Sequence, residues 1–290
     1  MNQFLPGQWL DVYVPGISSP GGFTITSTPQ DVATQDGYLE LAIQRAPENP
    51  CAAWFWQDVE RIREKQVKVR VGGSFVWPPP SIPASDITRV VFVAGGVGVK
   101  YDNLLSQFFS SSCCNWIEFA DTMMTSPLVS ILSHLQQTDS FPPVTHFLYS
   151  TRHMSHGLEA IPFCSRISKM LCCTGDLHRR LRLFRTKSDQ KVPSLDVLNA
   201  DQHASGVNDP SRSRIETSPA RAISGQDRQP DILNRRMSET DLNGTLGPII
   251  ERPRVVLYVC GPPLMTDWAV ARFKVAPGIE PERVLCEKWW

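Results

Sequence analysis

The chain has no run approaching 18 apolar residues, no CxxC spacing, no GxGxxG motif and no excess of either charge. A transmembrane helix needs roughly 20 apolar residues, so none is expected. The opening stretch MNQFLPGQWLDVYVPG has no basic segment followed by an apolar core and is not Arg-rich, so neither a signal peptide nor a transit peptide is read there. Lys and Arg number 29, and Asp and Glu also number 29. A nucleic-acid partner normally leaves a basic excess, so this balance gives it no support. Without CxxC spacing, zinc ribbons and thioredoxin-like redox motifs are unsupported. The eight cysteines include the adjacent pairs Cys113–Cys114 and Cys172–Cys173, which do not read as a disulfide scaffold, and a reducing compartment is favoured. None of His134, His146, His153, His156, His178 and His203 has metal-ligand spacing backed by carboxylates, so no metal is expected. No Ser–His–Asp order or nucleophile elbow occurs.

What is present fits two domains. A length of 290 residues exceeds the usual single domain. With 41% apolar and 20% charged residues, part of the chain reads as polar linker. Residues 8–75 are β-rich: Gln8–Val14, Phe23–Ser27, Tyr38–Gln44 and Gln66–Val71 alternate or are β-branched, with Gly and Pro between them. They predict a small barrel or sandwich, with a helix over Ala52–Lys65. Trp77–Pro83 (WPPPSIP) reads as a connector.

Beyond it the pattern becomes strand, helix, strand. Thr88–Ala94, Thr145–Tyr149 and Pro253–Val259 are continuous apolar runs, as parallel strands buried on both faces require. Pro127–Leu135 and Met265–Phe273 read as helices, the latter with Thr266 or Asp267 near its N-cap, and Val284–Leu285 begins a last strand. Residues 187–243 are polar and without hydrophobic period, and predict a disordered insertion. The expected fold is therefore two-domain α/β: an incomplete antiparallel barrel over 1–80, then a parallel nucleotide-binding domain over 86–290.

Two motifs carry chemistry. VVFVAGGVG places Gly95, Gly96, Val97 and Gly98 after a buried strand, where glycines permit a tight turn and close approach of a ligand. A plain strand–helix turn explains the same residues. The second motif, Cys260-Gly261-Pro262-Pro263, ends another buried strand, at the carboxyl end where open α/β sheets bind ligands. The prolines are expected to delay the next helix.

AGGVG, PLVSIL, FLYSTR and CGPPLM, in this order, resemble the nicotinamide-binding half of the ferredoxin–NADP reductase family. PGQW and FTITSTP resemble its flavin barrel, and NPCAAWFWQ with the ending CEKWW narrows the resemblance to one branch. It implies a six-stranded flavin barrel, a five-stranded nucleotide domain, and an NAD(P)H-dependent oxidoreductase exchanging hydride between nicotinamide and FAD, with an unknown electron acceptor. It also implies that Gly95–Gly98 lie under the nicotinamide and pyrophosphate, and that Cys260, Gly261, Pro262 and Pro263 lie beside the ring. Cys260 is the candidate catalytic residue, tuning the site without acting as a nucleophile. Tyr149, Ser150 and Arg152 would contact the adenosine ribose, and Arg152 a 2′-phosphate if NADP is the cofactor. Phe23 would stack on flavin, Thr24 would bond its ring, Ile25, Thr26 and Ser27 would line it, and Trp290 would cover it. The branch implies a mitochondrial location; without an upstream targeting peptide the chain would be cytoplasmic.

The chain departs from that pattern in three places. Gly21, Gly22, Phe23 and Thr24 stand where the family has Arg-x-Tyr-Ser/Thr, so a charge-assisted phosphate contact of roughly 1.5–3 kcal/mol is missing. PGQW lies close to residue 1, as if two or three barrel strands were absent, and strand edges would then be left unpaired. Residues 99–125 interrupt what would otherwise read GGVG-S-PLVSIL, and are expected to be an insertion, either a gene-model artefact or a genuine loop. These departures favour a second reading, a dinucleotide-binding or interaction protein without turnover. RRMSET (235–240) offers Ser238 as a phosphorylation site in a third.

Overall fold

A computed structural model describes residues 4–96, 125–152, 158, 161, 163–172, 176–186 and 229–288, with the backbone alone of 104–110 and 116–118. The barrel half begins with β1 (Trp9–Tyr13), β2 (Gly21–Thr24), α1 (Pro29–Ala33) and β3 (Tyr38–Gln44). Next come α2 (Pro50–Phe55), α3 (Val59–Ile62) and β4 (Lys68–Gly72). β1 pairs antiparallel with β2 and with β4. A bridge between Ile25 and Leu41 carries the end of β2 onto β3. Alternation turns Leu10, Val12, Phe23, Ile25, Leu41 and Ile43 into one apolar core. The helix expected over 52–65 is two helices. Asn49 caps α2 through Oδ1, and Asp58 stops the run by capping α3.

Next in chain order come β5 (Arg89–Gly95), which opens the nucleotide half, the strands β6 (Leu104–Ser110) and β7 (Trp116–Glu118), then α4 (Ser126–Gln137), β8 (Val144–Thr151), α5 (Cys164–Cys172) and β9 (Arg179–Arg185). It continues through β10 (Asp231–Leu233), α6 (Glu239–Leu246), β11 (Val255–Cys260), α7 (Pro263–Lys274) and β12 (Val284–Glu287). Six strands form one parallel sheet in the order β10-β9-β8-β5-β11-β12. The resemblance implied five. β5 is buried on both faces: Val90, Phe92 and Ala94 meet the layer of α4 and α5, while Val91 and Val93 meet α6 and α7.

Two expectations change here. β6 pairs along all of β3, from Tyr38 opposite Ser110 to Gln44 opposite Leu104, and β7 pairs with β6. Unpaired strand edges were expected in general, and one of them, that of β3, is hydrogen-bonded by part of the segment read as an insertion. The last part of the stretch 187–243 is also regular, because it holds β10 and the start of α6; residues 187–228 lie outside the description.

The halves are joined by more than a connector. Trp77 and Ile82 of the proline-rich segment are buried against Phe92 and Tyr258 in the core under α4. Tyr258 Oη donates to the Val76 carbonyl at 2.7 Å. Ser130 Oγ on α4 accepts from Gly7 N–H at 3.3 Å and donates to the Ser27 carbonyl at 3.0 Å. No helix of the described residues is long and apolar enough to cross a membrane.

Candidate functional site

The chain leaves β5 toward β8 on one side of the sheet and leaves β11 toward β12 on the other. Between the carboxyl ends of β5 and β11 the connections diverge, and such a switch point opens the crevice in which doubly wound sheets bind ligands. Register fixes what meets there. Ala94 lies opposite Cys260, Gly95 opposite Ser150, and Cys260 opposite Glu287. Gly96 N–H donates to the Ser150 carbonyl at 3.0 Å.

Both glycines are needed for packing. A Cβ on Gly261 would lie 2.2 Å from Met265 Cε, and one on Gly95 2.6 Å from the same atom. Without Cβ atoms, the first turn of α7 settles directly on the strand ends. α7 begins at Pro263 itself, a first-turn position where the missing N–H costs nothing, so the prolines start the helix instead of delaying it. Thr266 Oγ1 donates to the Gly261 carbonyl at 2.9 Å. Asp267 lies past the first turn and pairs with Lys288 at 2.5 Å, so it does not cap the helix.

Cys260 is fully buried. Its neighbour across the register, Glu287, is half-buried, and its Oε2 has no hydrogen-bond partner among the described residues. Burial pushes the Glu287 carboxyl up to about 8, so at neutral pH it holds a proton. Sequence reasoning passed over this residue while weighing the two tryptophans after it. The signal was available: once β12 pairs with β11, Glu287 shares the face of Cys260.

The expected residues divide. Gly95, Gly96, Ser150, Cys260, Gly261, Pro262 and Pro263 converge on the crevice. Arg152 is exposed just beyond β8, but Tyr149 is buried in the core, with its ring 6.2 Å from that of Phe147. Val97, Gly98 and Trp290 lie outside the described residues. Phe23 and Ile25 point into the barrel core, Phe23 making an edge contact with Phe55 at 5.5 Å. Thr24 and Thr26 take the opposite face, shared with Glu40 and Ala42, and Ala42 packs into the core of the nucleotide half. Ser27 Oγ accepts from Glu40 N–H at 3.0 Å.

The Gly21–Ser27 segment is a poor match for a flavin held in the way the resemblance implies. Gly21 shares the core-facing side of β2 with Phe23, and a Cβ there would lie 2.7 Å from Cys51 Cβ and from the Phe23 ring, so packing excludes a cationic side chain at that position. The Thr24 and Thr26 hydroxyls are buried without partners among the described residues, so they could bond a polar ring, but position 21 offers no cation to its phosphates. A nicotinamide beside β11 is a better match, because Glu287 lies in register with Cys260 and its Oε2 is without a hydrogen-bond partner among the described residues. Among the described residues no three His, Cys, Asp or Glu are grouped to hold a metal ion.

No protein-family model matches the chain. It is similar to the Danio rerio protein named Oxidoreductase NAD-binding domain-containing protein 1, at 27% identity over 297 residues, covering 99% of this chain and 82% of that protein. The Homo sapiens protein of the same name is 24% identical over 292 residues, covering 99% and 71%. The Pongo abelii protein is 37% identical over 97 residues, covering 33% and 29%. Among solved structures, the CS-b5R domains of human Ncb5or in the NAD+ form superpose with a TM-score of 0.57 at 12% identity, covering 99% of this chain; this chain spans only 61% of that one. The flavohem-like FAD/NAD-binding domain of nitric oxide dioxygenase from Vibrio cholerae gives 0.53 at 11% identity, covering 98% and 85%. At these identities the structural likeness is one of fold, the two-domain fold of FAD/NAD-binding reductases.

Proposed function

We propose that this chain is a nicotinamide-dinucleotide-dependent oxidoreductase whose nucleotide site is the crevice between β5 and β11. The observation that carries it is the meeting of Gly95, Gly96, Cys260 and Glu287 at the carboxyl ends of the neighbouring strands β5, β11 and β12. When bound, a nicotinamide dinucleotide supplies or takes up a hydride. The chain positions it. Gly95 and Gly96 keep the backbone bare where the ring approaches, and the resemblance gives Val97 and Gly98 the same role. Cys260, Gly261, Pro262 and Pro263 form the opposite wall. A protonated Glu287 would donate a hydrogen bond to a carboxamide or carbonyl oxygen placed beside it. Ser150 and Arg152 face the adenosine side, and Arg152 would select a 2′-phosphate.

The finer parts of the reading follow the resemblance: residues 1–80 as the flavin-type barrel, 86–290 as the nucleotide domain, Trp290 as a cover, and a mitochondrial location. The excluded cation at Gly21 favours a second reading, in which the dinucleotide binds without turnover. An absorbance spectrum from about 300 to 550 nm, followed by anaerobic NADH and NADPH addition, separates the two. Bands that bleach with one nucleotide support the oxidoreductase and name its cofactor. A colourless protein that binds NADH without passing electrons to ferricyanide supports the second.

A further inference from the structure

Parallel sheets are normally covered on both faces. Among the described residues, one corner of this sheet is covered on only one. On the side of α4 and α5, Thr145, Phe147, Tyr149, Leu181 and Leu183 of β8 and β9 are all buried. On the other side α6 and α7 bury Leu148 and Phe184, but the amino-terminal halves of the same strands stay open, with His146 and Arg182 half-buried and Arg180 exposed. Register gathers these side chains. His146 lies directly opposite Arg180, and Arg182 follows two residues later on the same face. Neighbouring strands are about 4.8 Å apart and alternate residues of one strand about 6.6 Å, so the imidazole and the two guanidiniums share one patch. Arg89 borders it from β5, on the far side of β8.

The acids around the patch are mostly committed. Arg89 pairs with Glu251 at 3.3 Å, Arg235 with Asp241, and Arg272 with Glu239 at 3.3 Å. Arg180 and Arg182 have no ion-pair partner among the described residues, although Asp231 stands opposite Arg182 in the register of β10. His146 Nδ1 is buried and also without a partner among the described residues, whereas buried polar atoms are normally hydrogen-bonded. Burial, and then the charges of Arg89, Arg182 and Arg180, bring the His146 imidazole down to about 4, so it is neutral at neutral pH and carries one N–H to share. The field that keeps a second proton off this ring is one that draws an anion.

We infer that His146, Arg180 and Arg182 form an oxyanion site for a phosphate group on the open corner of the sheet, separate from the dinucleotide crevice. Two guanidinium forks and a ring nitrogen match a tetrahedral group with three or four oxygens; a carboxylate, with two, leaves one fork unfilled. His146 precedes Ser150 by four residues on β8, which sets the patch about 13 Å along the strand from the crevice. The inference does not rest on the proposed function.

The test titrates inorganic phosphate into the full chain by calorimetry, with chloride holding the ionic strength constant, for wild type, Arg180→Gln, Arg182→Gln and Arg152→Gln. Wild type is expected to bind saturably, Arg180→Gln and Arg182→Gln each about tenfold more weakly or worse, and Arg152→Gln like wild type. Arg180 is exposed, so its variant serves if Arg182→Gln does not fold. Sulfate, a dianion of the same shape, should compete, and acetate should not. Phenyl phosphate separates the sources of the group: tighter binding than inorganic phosphate marks a phosphoester ligand, weaker binding the free ion. No saturable binding by wild type, undiminished binding by the Arg180 and Arg182 variants, or a loss confined to Arg152→Gln overturns the site. So does competition between phosphate and NADH, which would put the phosphate in the crevice. If none of the proteins binds NADH, the proposed function falls and this site is still judged on phosphate alone.

Discussion

Glu287 makes stability depend on pH in a direction opposite to that of most carboxylates. Its folded carboxyl titrates near 8, whereas in an unfolded chain a glutamate ionises near about 4.3. Between those values the folded chain keeps a proton that the unfolded chain has lost, so stability falls as pH rises through this window and levels off above it. Glu287→Gln removes the slope. Thermal melts from about pH 5 to 8.5 should show a variant whose advantage over wild type grows with pH; a constant difference would mean that Glu287 is ionised throughout. Gly261→Ala tests the packing of α7. The added methyl would sit 2.2 Å from Met265 Cε and 3.0 Å from Gly95 N, and only the first neighbour is a flexible tip. Urea unfolding should show a loss of about 1–3 kcal/mol, partly recovered in the double variant with Met265→Ala. At this scale the strand ends at Gly95 and Cys260 were legible, because a continuous apolar run closed by glycine marks a strand buried on both faces. Phe23 and Tyr149 were not: an aromatic on a strand has the same letter whether it faces a ligand or a core.

At the scale of elements, Tyr38–Gln44 was legible to the residue, because strict alternation has one structural answer. The helix of α7 was found but started two residues late, since proline at the first helical position was taken as a block. α6 was lost inside a polar stretch, although its start carries a capping box. Ser238 Oγ accepts from Asp241 N–H at 3.4 Å and donates to Asp241 Oδ2 at 2.6 Å, and Arg235 holds that carboxylate well below the usual range. The serine read as a phosphorylation site is thus a helix cap, half-buried and engaged. Ser238→Ala should cost about 1 kcal/mol of stability in chemical denaturation. Asp241, titrating lower in the folded chain, adds stability above the usual carboxylate range that is lost only at strongly acid pH. α5 was passed over, although Cys164, Ile167, Met170 and Leu171 recur along it at helical spacing.

At the scale of the whole molecule, the two halves share a relay of polar groups. Ser130 satisfies the Gly7 amide and the Ser27 carbonyl together, so Ser130→Ala strands two barrel groups at the interface. A loss of about 1–3 kcal/mol is expected in global unfolding. If the halves unfold together, calorimetry shows a single lowered transition; a barrel transition that separates from the rest would show that the relay is what couples them. The division into barrel and parallel sheet was legible from the change of pattern at residue 77, but the cohesion across it was not, since hydrogen bonds between distant residues leave no mark on local sequence.

The pairing of β6 with β3 has a mechanical consequence. Between β5 and α4, both in the nucleotide half, the chain makes an excursion into the barrel's sheet and returns. The halves are therefore stitched by three passages of backbone where a hinged pair needs one. Drawing the halves apart means breaking a seven-residue ladder, Tyr38–Gln44 against Leu104–Ser110, as well as the contacts of the connector.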